Sequence, residues 1–259
     1  MRAHRSVRLL LALALTSASC AGPGGDVPVV AAAADLNAAL PEVVTAFAAA
    51  TGRRVDLVFG SSGNLTQQIV NGAPFEVFLS ADEGYVERLR AAGRTDGEGA
   101  LYAIGQIGIF VPAGSPLLAD STLRDLGAAM TDGRLQKFAI ANPEHAPYGR
   151  AAREVLTHAG LWSGIQPSLV LGENVAQTTQ FATSGSAQGG LIPLSLASSD
   201  AVRHAGSFAL IPLEWHAPLR QRAVLIDGAG EAARAFYDFL LSAQSRAILE
   251  RFGFECPAC

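Results

Sequence analysis

Short apolar segments alternate with amphipathic helical segments along this chain, and the order of strand, loop and helix repeats from its first third onwards. The first three predicted strands cover residues 27–34, 54–59 and 75–80, and a predicted helix follows each of them. Strands that alternate with helices pair in parallel, because each helix carries the chain back across a face of the sheet. The sequence therefore predicts an α/β fold with mostly parallel sheets flanked by helices.

The same alternation continues through the rest of the 259 residues, which is enough chain for two modest lobes with separate cores. Apolar runs predict further strands at residues 106–111, 138–141, 169–171, 190–194, 207–213 and 222–226. Residues 230–252 are predicted to form one or two amphipathic helices at the C-terminal end.

Loops of small and polar residues join several of these strands to the helices that follow. The clearest are residues 34–35, the sequence GSSG at 60–63, residues 142–149 and residues 172–175. In an open α/β sheet, ligands bind beyond the carboxyl ends of the strands, where such loops lie. The first-turn N–H groups of a helix lack intrahelical partners and carry partial positive charge, so these loops together favour an anion. They contain no lysine, and such a site needs no formal cation.

Enzyme motifs are missing from the sequence. A nucleophile elbow requires a glycine where Asn64 stands, and neither a phosphate-binding P-loop nor metal-ligand spacing of histidines is present. His145 is the one histidine in a candidate loop, and we interpret it as a surface or capping residue. A secreted α/β hydrolase remains an alternative function, but it would need a nucleophile and base at the strand ends.

The N-terminal residues have the pattern of a secretory signal. Three arginines precede an apolar run at residues 9–15, and small residues follow up to Cys20. We therefore predict a signal peptide at 1–20 and a short tether at 21–27. Residues 17–20 resemble a lipoprotein-processing box, which predicts a lipid on Cys20, whereas ordinary cleavage nearby is the alternative. The formal charge of −4 argues against a nucleic-acid partner.

Two cysteines, Cys256 and Cys259, lie at the C-terminal end. In redox enzymes, the C-x-x-C motif precedes a helix that stabilises the thiolate, and no residues follow it in this sequence. We predict a disulfide between them in an oxidising compartment, and a redox module is the alternative.

Four motifs of the chain, taken in order, resemble those of the periplasmic molybdate-binding proteins of ABC transporters. They are VVAAAADLNAAL, GSSGNLTQQIVNGAPFEVFLSAD, FAIANPEHAPYGRAAREVLTHAGL and LVLGENVAQTTQFATSGSAQGGLIPLSLA, and the similarity spans residues 29–254. The resemblance implies a two-lobed, type II-like periplasmic binding fold, with residues 28–107 and 221–259 in one lobe and 108–220 in the other. Two crossing strands, placed near 106–111 and 222–226, would join the lobes.

The resemblance also implies a function. The protein would be a non-catalytic, periplasmic or extracytoplasmic monomer without a cofactor, and its ligand would be molybdate and also tungstate. Its macromolecular partner would be the membrane permease of an ABC importer, and the membrane itself would be contacted only through the lipid anchor. Sulfate or phosphate remains an alternative ligand, because the motifs specify a tetrahedral oxyanion better than its central atom.

Carried over position by position, the resemblance places the oxyanion contacts on six residues. Hydroxyl contacts fall on Ser62 with Ser61 beside it, and backbone N–H contacts fall on Tyr148, whose hydroxyl is a further candidate, and on Val175. The first motif differs from the family, because Ala34 and Asp35 stand where Ser, Thr or Asn is usual. We predict that the Asp35 carboxylate caps its own helix. The alternative is that it accepts a proton from a protonated oxyanion such as hydrogen phosphate.

Overall fold

The strands assemble into two five-stranded sheets, each flanked by helices. The structure is a computed structural model that describes residues 27–257. The predicted signal peptide, Cys20, nearly all of the tether and Cys259 lie outside the described residues. No helix within residues 27–257 has the length and apolar character needed to cross a membrane.

The first lobe, residues 27–105 and 219–257, contains one sheet with the strand order β2-β1-β3-β10-β4. Its strands are β1 (Val29–Ala33), β2 (Asp56–Gly60), β3 (Val77–Ser80), β4 (Thr95–Gly105) and β10 (Leu219–Ile226), and its helices are α1 (Leu40–Thr51), α2 (Ser62–Val70), α3 (Glu83–Ala91), α9 (Glu231–Leu240) and α10 (Ala243–Arg251). Strand β1 pairs in parallel with β2 and β3, whereas β10 is antiparallel to both β3 and β4.

The second lobe, residues 106–218, contains the other sheet, with the order β7-β6-β8-β5-β9. Its strands are β5 (Ile107–Pro112), β6 (Phe138–Ala141), β7 (Leu169–Gly172), β8 (Gly190–Pro193) and β9 (Gly206–Leu210), and its helices are α4 (Arg124–Asp132), α5 (Pro147–His158), α6 (Trp162–Ile165), α7 (Val175–Thr183) and α8 (Leu194–Ala197). Strand β6 is parallel to β7 and β8, and β5 is antiparallel to β8 and β9. Both sheets are therefore mixed, with a parallel half that carries the helix-opening loops.

The chain passes between the sheets twice. Gln106 alone separates β4 from β5, and residues 211–218 lead from β9 back to β10. Strand β10 itself, which contains the predicted crossing segment 222–226, lies within the first sheet. This two-lobed α/β arrangement confirms the predicted fold class.

Apolar packing explains why each lobe is stable. In the first lobe, Phe47 of α1 and Phe236 of α9 are fully buried and meet edge to face, with ring centroids 5.3 Å apart. In the second lobe, Phe138, Ile140 and Ile109 are fully buried between their sheet and its helices. Burial of such side chains contributes roughly 1.5–3 kcal/mol each to the stability of the fold.

Among the strands, β4 is the one that the sequence pattern did not predict. Its first half, TDGEGA, is polar and largely exposed, so it has no apolar run to mark a strand. The buried residues of this strand, Tyr102, Ala103 and Gly105, all lie near its end. Pairing with β10 along most of its length is what makes the segment extended.

Candidate functional site

A small cavity lies between the two lobes where the carboxyl ends of their parallel strands face each other. Its volume, including the mouth, is about 200 Å³, which suits an ion of a few atoms better than a nucleotide. The residues that line it are Ala33, Ala34, Asp35, Gly60, Ser61, Ser62, Ala81, Ala146, Pro147, Tyr148, Asn174 and Val175. All six residues predicted as ligand contacts are in this set, and none of the described lining residues is a lysine, arginine or histidine.

Three helices begin at the cavity. Ser61 is the N-cap of α2, Ala146 of α5 and Asn174 of α7, so helices of both lobes start there. The backbone N–H groups of Ser62, Tyr148 and Val175 belong to first turns and have no intrahelical partner. Together with the helix dipoles, they surround the cavity with partial positive charge. The arrangement can therefore hold an anion although no cationic side chain lines it.

Ser62 is fully buried and its hydroxyl oxygen already accepts a hydrogen bond. The backbone N–H of Ala81 donates to Ser62 Oγ over 3.0 Å. Since that oxygen is engaged as an acceptor, the hydroxyl proton is available to donate. Ser62 is thus suited to act as a side-chain donor to an anion in the cavity.

Ser61 and Gly63 contact the opposite lobe through His145. Ser61 Oγ lies 2.9 Å from His145 Nδ1, and the Gly63 N–H donates to the His145 carbonyl over 2.9 Å. The Tyr85 hydroxyl donates to the same carbonyl over 3.3 Å. The interpretation of His145 as only a surface or capping residue was therefore incomplete, because it connects the lobes across the cavity.

Glu173 completes a Ser-His-Glu group that the sequence did not suggest. Its carboxylate lies 3.8 Å from His145 Nε2 and accepts a hydrogen bond from the Asn64 amide. Ser61 Oγ also accepts from the Asn64 backbone N–H over 3.4 Å, as the cap of α2. The serine belongs to one lobe and the histidine and glutamate to the other, so the three residues act as closing contacts.

A further contact between the lobes lies beside this group. Arg150 on α5 forms an ion pair with Asp82, the N-cap of α3, and both side chains are partly buried. Burial of the guanidinium lowers the pKa of Arg150. The structure is thus in a closed form, held by several contacts between the lobes.

Asp35 does not cap its own helix, and that prediction was wrong. Residues Ala34–Leu36 form a single 3-10 turn without a side-chain cap, and α1 begins only at Leu40. The carboxylate instead accepts a hydrogen bond through Oδ2 from Gln221 Nε2. The side chain is fully buried, so its charge is costly where it stands.

The Tyr148 hydroxyl is also directed toward this buried network. Gln221 Nε2 approaches it at 3.3 Å, and the Tyr102 hydroxyl donates to Gln221 Oε1 over 2.7 Å. Any contact of Tyr148 with an anion would therefore be made by its backbone N–H. Burial raises the pKa of both tyrosines well above the ordinary value, so they remain neutral donors.

Sequence reasoning missed Gln221 and Tyr102, and it named the loop that contains Asn174 without making Asn174 a site residue. Gln221 was the detectable one, since the two-residue period of strand β10 places it on the same buried face as Leu219 and Ala223, and it is fully buried. A buried amide requires partners, which would have pointed to a polar network near the passage between the lobes.

Comparison with known proteins places the chain in a family. Residues 28–255 match the family of bacterial extracellular solute-binding proteins. The chain belongs to this family. The molybdate-binding protein ModA of Azotobacter vinelandii is 34% identical over 250 residues, which are 95% of this chain and 96% of the relative. ModA of Rhodobacter capsulatus is 34% identical over 253 residues, 96% of this chain and 94% of the relative.

A solved structure supports the same membership. The periplasmic molybdate-binding protein of Azotobacter vinelandii superposes with a TM-score of 0.80 at 32% identity, over 90% of this chain and 100% of that structure. These relatives of the solute-binding protein are thus named as molybdate-binding proteins, and the resemblance inferred from the four motifs is confirmed.

Two other features of this solute-binding protein bear on its chemistry. Within residues 27–257, no group of three or more His, Cys, Asp or Glu side chains could hold a metal ion. Burial raises the pKa of the Cys256 thiol to about 11, so little reactive thiolate forms near neutral pH. This argues against the redox alternative. The predicted disulfide stays a prediction, because Cys259 is outside the described residues.

Proposed function

We propose that this solute-binding protein captures molybdate, and also tungstate, in the cavity between its lobes and delivers it to the membrane permease of an ABC importer. The supporting observation is that first-turn N–H groups of helices from both lobes converge on one small cavity without a lysine, arginine or histidine side chain in its lining. The named relatives add weight, because both are molybdate-binding proteins. We propose contacts through Ser61, Ser62, Tyr148 and Val175, with backbone from Ala34 and Asp35.

Contacts between the lobes support a role in delivery. An anion held by donors of both lobes would bind the closed form better than an open one, so binding would shift the protein toward closure. The closed protein would then offer the permease one continuous surface built from both lobes. In this proposal the protein is a non-catalytic, extracytoplasmic monomer, and a lipid on Cys20 would hold it at the membrane.

Titration calorimetry of the purified protein tests the ligand. We expect tight binding of molybdate and tungstate and much weaker binding of phosphate at equal concentrations, and sulfate, which is also fully deprotonated, tests whether the cavity selects the larger anion. Apart from Asp35, the groups that face the cavity are neutral donors, which would favour a fully deprotonated tetrahedral anion over one that carries a proton, because a donor group cannot accept from the anion's own hydroxyl. If phosphate binds tightly and molybdate gives no heat, the ligand is a protonated oxyanion and not molybdate. Asp35 would then be the group that accepts a hydrogen bond from the hydroxyl of that anion.

Replacement of Ser62 tests the contact set. We expect Ser62→Ala to weaken molybdate binding by about 1–3 kcal/mol, the usual contribution of a hydrogen bond to a charged group. Ser207→Ala is the matched control, because Ser207 is exposed on β9, the edge strand of the second sheet, and does not line the cavity. Calorimetry at one pH gives both affinities, and an unchanged affinity in Ser62→Ala would remove Ser62 from the site.

A secreted hydrolase is the second candidate, and the hydrogen bond between Ser61 and His145 is the observation in its favour. Ser61 is almost fully buried and its oxygen is used as the cap of α2, so a substrate carbonyl would have little access to it. Binding without turnover therefore accounts better for this geometry.

A further inference from the structure

Hydrogen-bond donors alone could hold an oxyanion in this cavity, and yet the cavity also contains an ionisable side chain, Asp35. It lines the cavity, its side chain is fully buried, and its carboxyl atom Oδ1 has no hydrogen-bond partner among the described residues. Buried polar atoms nearly always have partners, so an isolated carboxylate oxygen in a ligand cavity calls for a chemical explanation.

The groups that face Asp35 are all neutral. Around its carboxyl and in the cavity lining they are Gln221 on β10, Tyr148 on α5, Gly60 at the end of β2, Ser61 and Ser62 at the start of α2, and Asn174 and Val175 at the start of α7. Tyr102 on β4 contacts Gln221, and the Ser195 hydroxyl on α8 donates to the Asp35 backbone carbonyl over 2.7 Å. No cationic side chain in this set compensates a negative charge on the carboxyl. A dianion in the same cavity would repel that charge at close range, where screening is weak.

We propose that the Asp35 carboxyl is protonated whenever the cavity holds a dianionic oxyanion, so that each dianion is bound together with one proton taken from solvent. This inference rests on the proposed function and adds a coupled proton to it. The proton removes the repulsion and turns Oδ1 or Oδ2 into a hydrogen-bond donor, which the cavity otherwise lacks at this position. Protonated Asp35 then donates a hydrogen bond as the Ser, Thr or Asn that is usual in the first motif would.

The ionisation of Asp35 in the unliganded protein agrees with this. Burial raises its pKa from 3.8 to about 6, and the nearby donors Gln221, Tyr148 and the backbone N–H groups of Asp35 and Leu36 oppose that rise. Free protein would therefore hold an ionised Asp35 above pH 6, and a bound dianion would raise the pKa further. The proton would be taken up on binding over the neutral and mildly alkaline range.

Counting protons during binding tests the proposal on the native protein. Molybdate is titrated at pH 7.5 into the protein in two non-phosphate buffers of different ionisation enthalpy, and the difference in heat gives the protons taken up. We expect uptake to approach one proton per molybdate, and affinity to fall about tenfold for each pH unit above about 6. Clear molybdate heat with no proton uptake would overturn the proposal and leave the proposed function intact.

Two variants identify the group that takes the proton. Asp35→Asn should bind molybdate without proton uptake, and its affinity should change little between pH 6 and 8. His145→Gln is the control, because His145 is a titratable side chain that touches a cavity residue, Ser61. Uptake that persists in Asp35→Asn and disappears in His145→Gln would assign the proton to His145 instead. Absence of molybdate heat in the native protein would contradict the proposed function, and this inference with it.

Discussion

We expect Gly63→Ala to prevent the lobes from closing and to weaken molybdate binding by roughly 2 kcal/mol or more, about 30-fold. A Cβ at position 63 would lie 2.6 Å from the carbonyl oxygen of His145 and 2.9 Å from its Cα, both backbone atoms of the opposite lobe. Backbone atoms at a helix start cannot move aside as a flexible side chain can, so the lobes themselves must separate. Such separation would also lengthen the hydrogen bond from the Gly63 N–H to that carbonyl.

Calorimetry and small-angle X-ray scattering measure this effect together. Native protein should become more compact when molybdate is added, and Gly63→Ala should stay open at the same concentration. Gln68→Ala is the matched control, since Gln68 lies on the exposed face of the same helix, α2. Native affinity in Gly63→Ala would show that the closed contact between Gly63 and His145 is not part of binding.

We expect Asp35→Asn to stabilise the unliganded protein by up to about 3 kcal/mol at pH 7.5. Burial raises the pKa of this carboxyl from 3.8 to about 6, so the folded state binds the proton more tightly than the unfolded chain. The free energy of unfolding of the native protein therefore decreases as the pH rises from about 4 to about 6, because Asp35 loses its proton over that range. At higher pH the destabilisation by the buried charge stays constant. Asparagine has a similar shape and no charge, so it avoids the cost.

Urea unfolding of both proteins at pH 4 and pH 7.5 measures the difference. The gain in Asp35→Asn should be largest at pH 7.5 and small at pH 4, where native Asp35 keeps its proton in the folded state. Asp227→Asn, which removes a charge from an exposed turn, should change stability by no more than about 0.5 kcal/mol. Equal free energies of unfolding of Asp35→Asn and native protein at pH 7.5 would show that the charge on the buried carboxylate does not destabilise the fold.

The sequence predicted the fold class and the loops of the site for a local reason. Strand and helix periodicity is written in neighbouring residues, and capping residues such as Ser61 and Asn174 lie directly before the helices they start. The same locality explains why strand β4 was missed, because its polar half becomes extended only by pairing with β10, more than a hundred residues later in the chain.

Asp35 shows what the local pattern could not settle. A carboxylate before a helix normally caps it, and nothing in the neighbouring residues argues otherwise. Its actual partner, Gln221, is 186 positions away in the sequence, and the two meet only because β10 returns to the first sheet after the second lobe is complete. His145 and Ser61 are 84 positions apart and belong to different lobes, so their contact depends on closure.

The sequence by itself determined that this protein is an α/β chain whose helices start in small-residue loops suited to an anion. Those properties follow from side-chain periodicity and from N–H groups that every helix start leaves unpaired. Only the tertiary structure decided that loops of both lobes surround one cavity, that Ser62 keeps a proton to donate, and that Asp35 is buried with one unpartnered oxygen. These depend on distances between segments far apart in the chain, which packing of the two lobes sets.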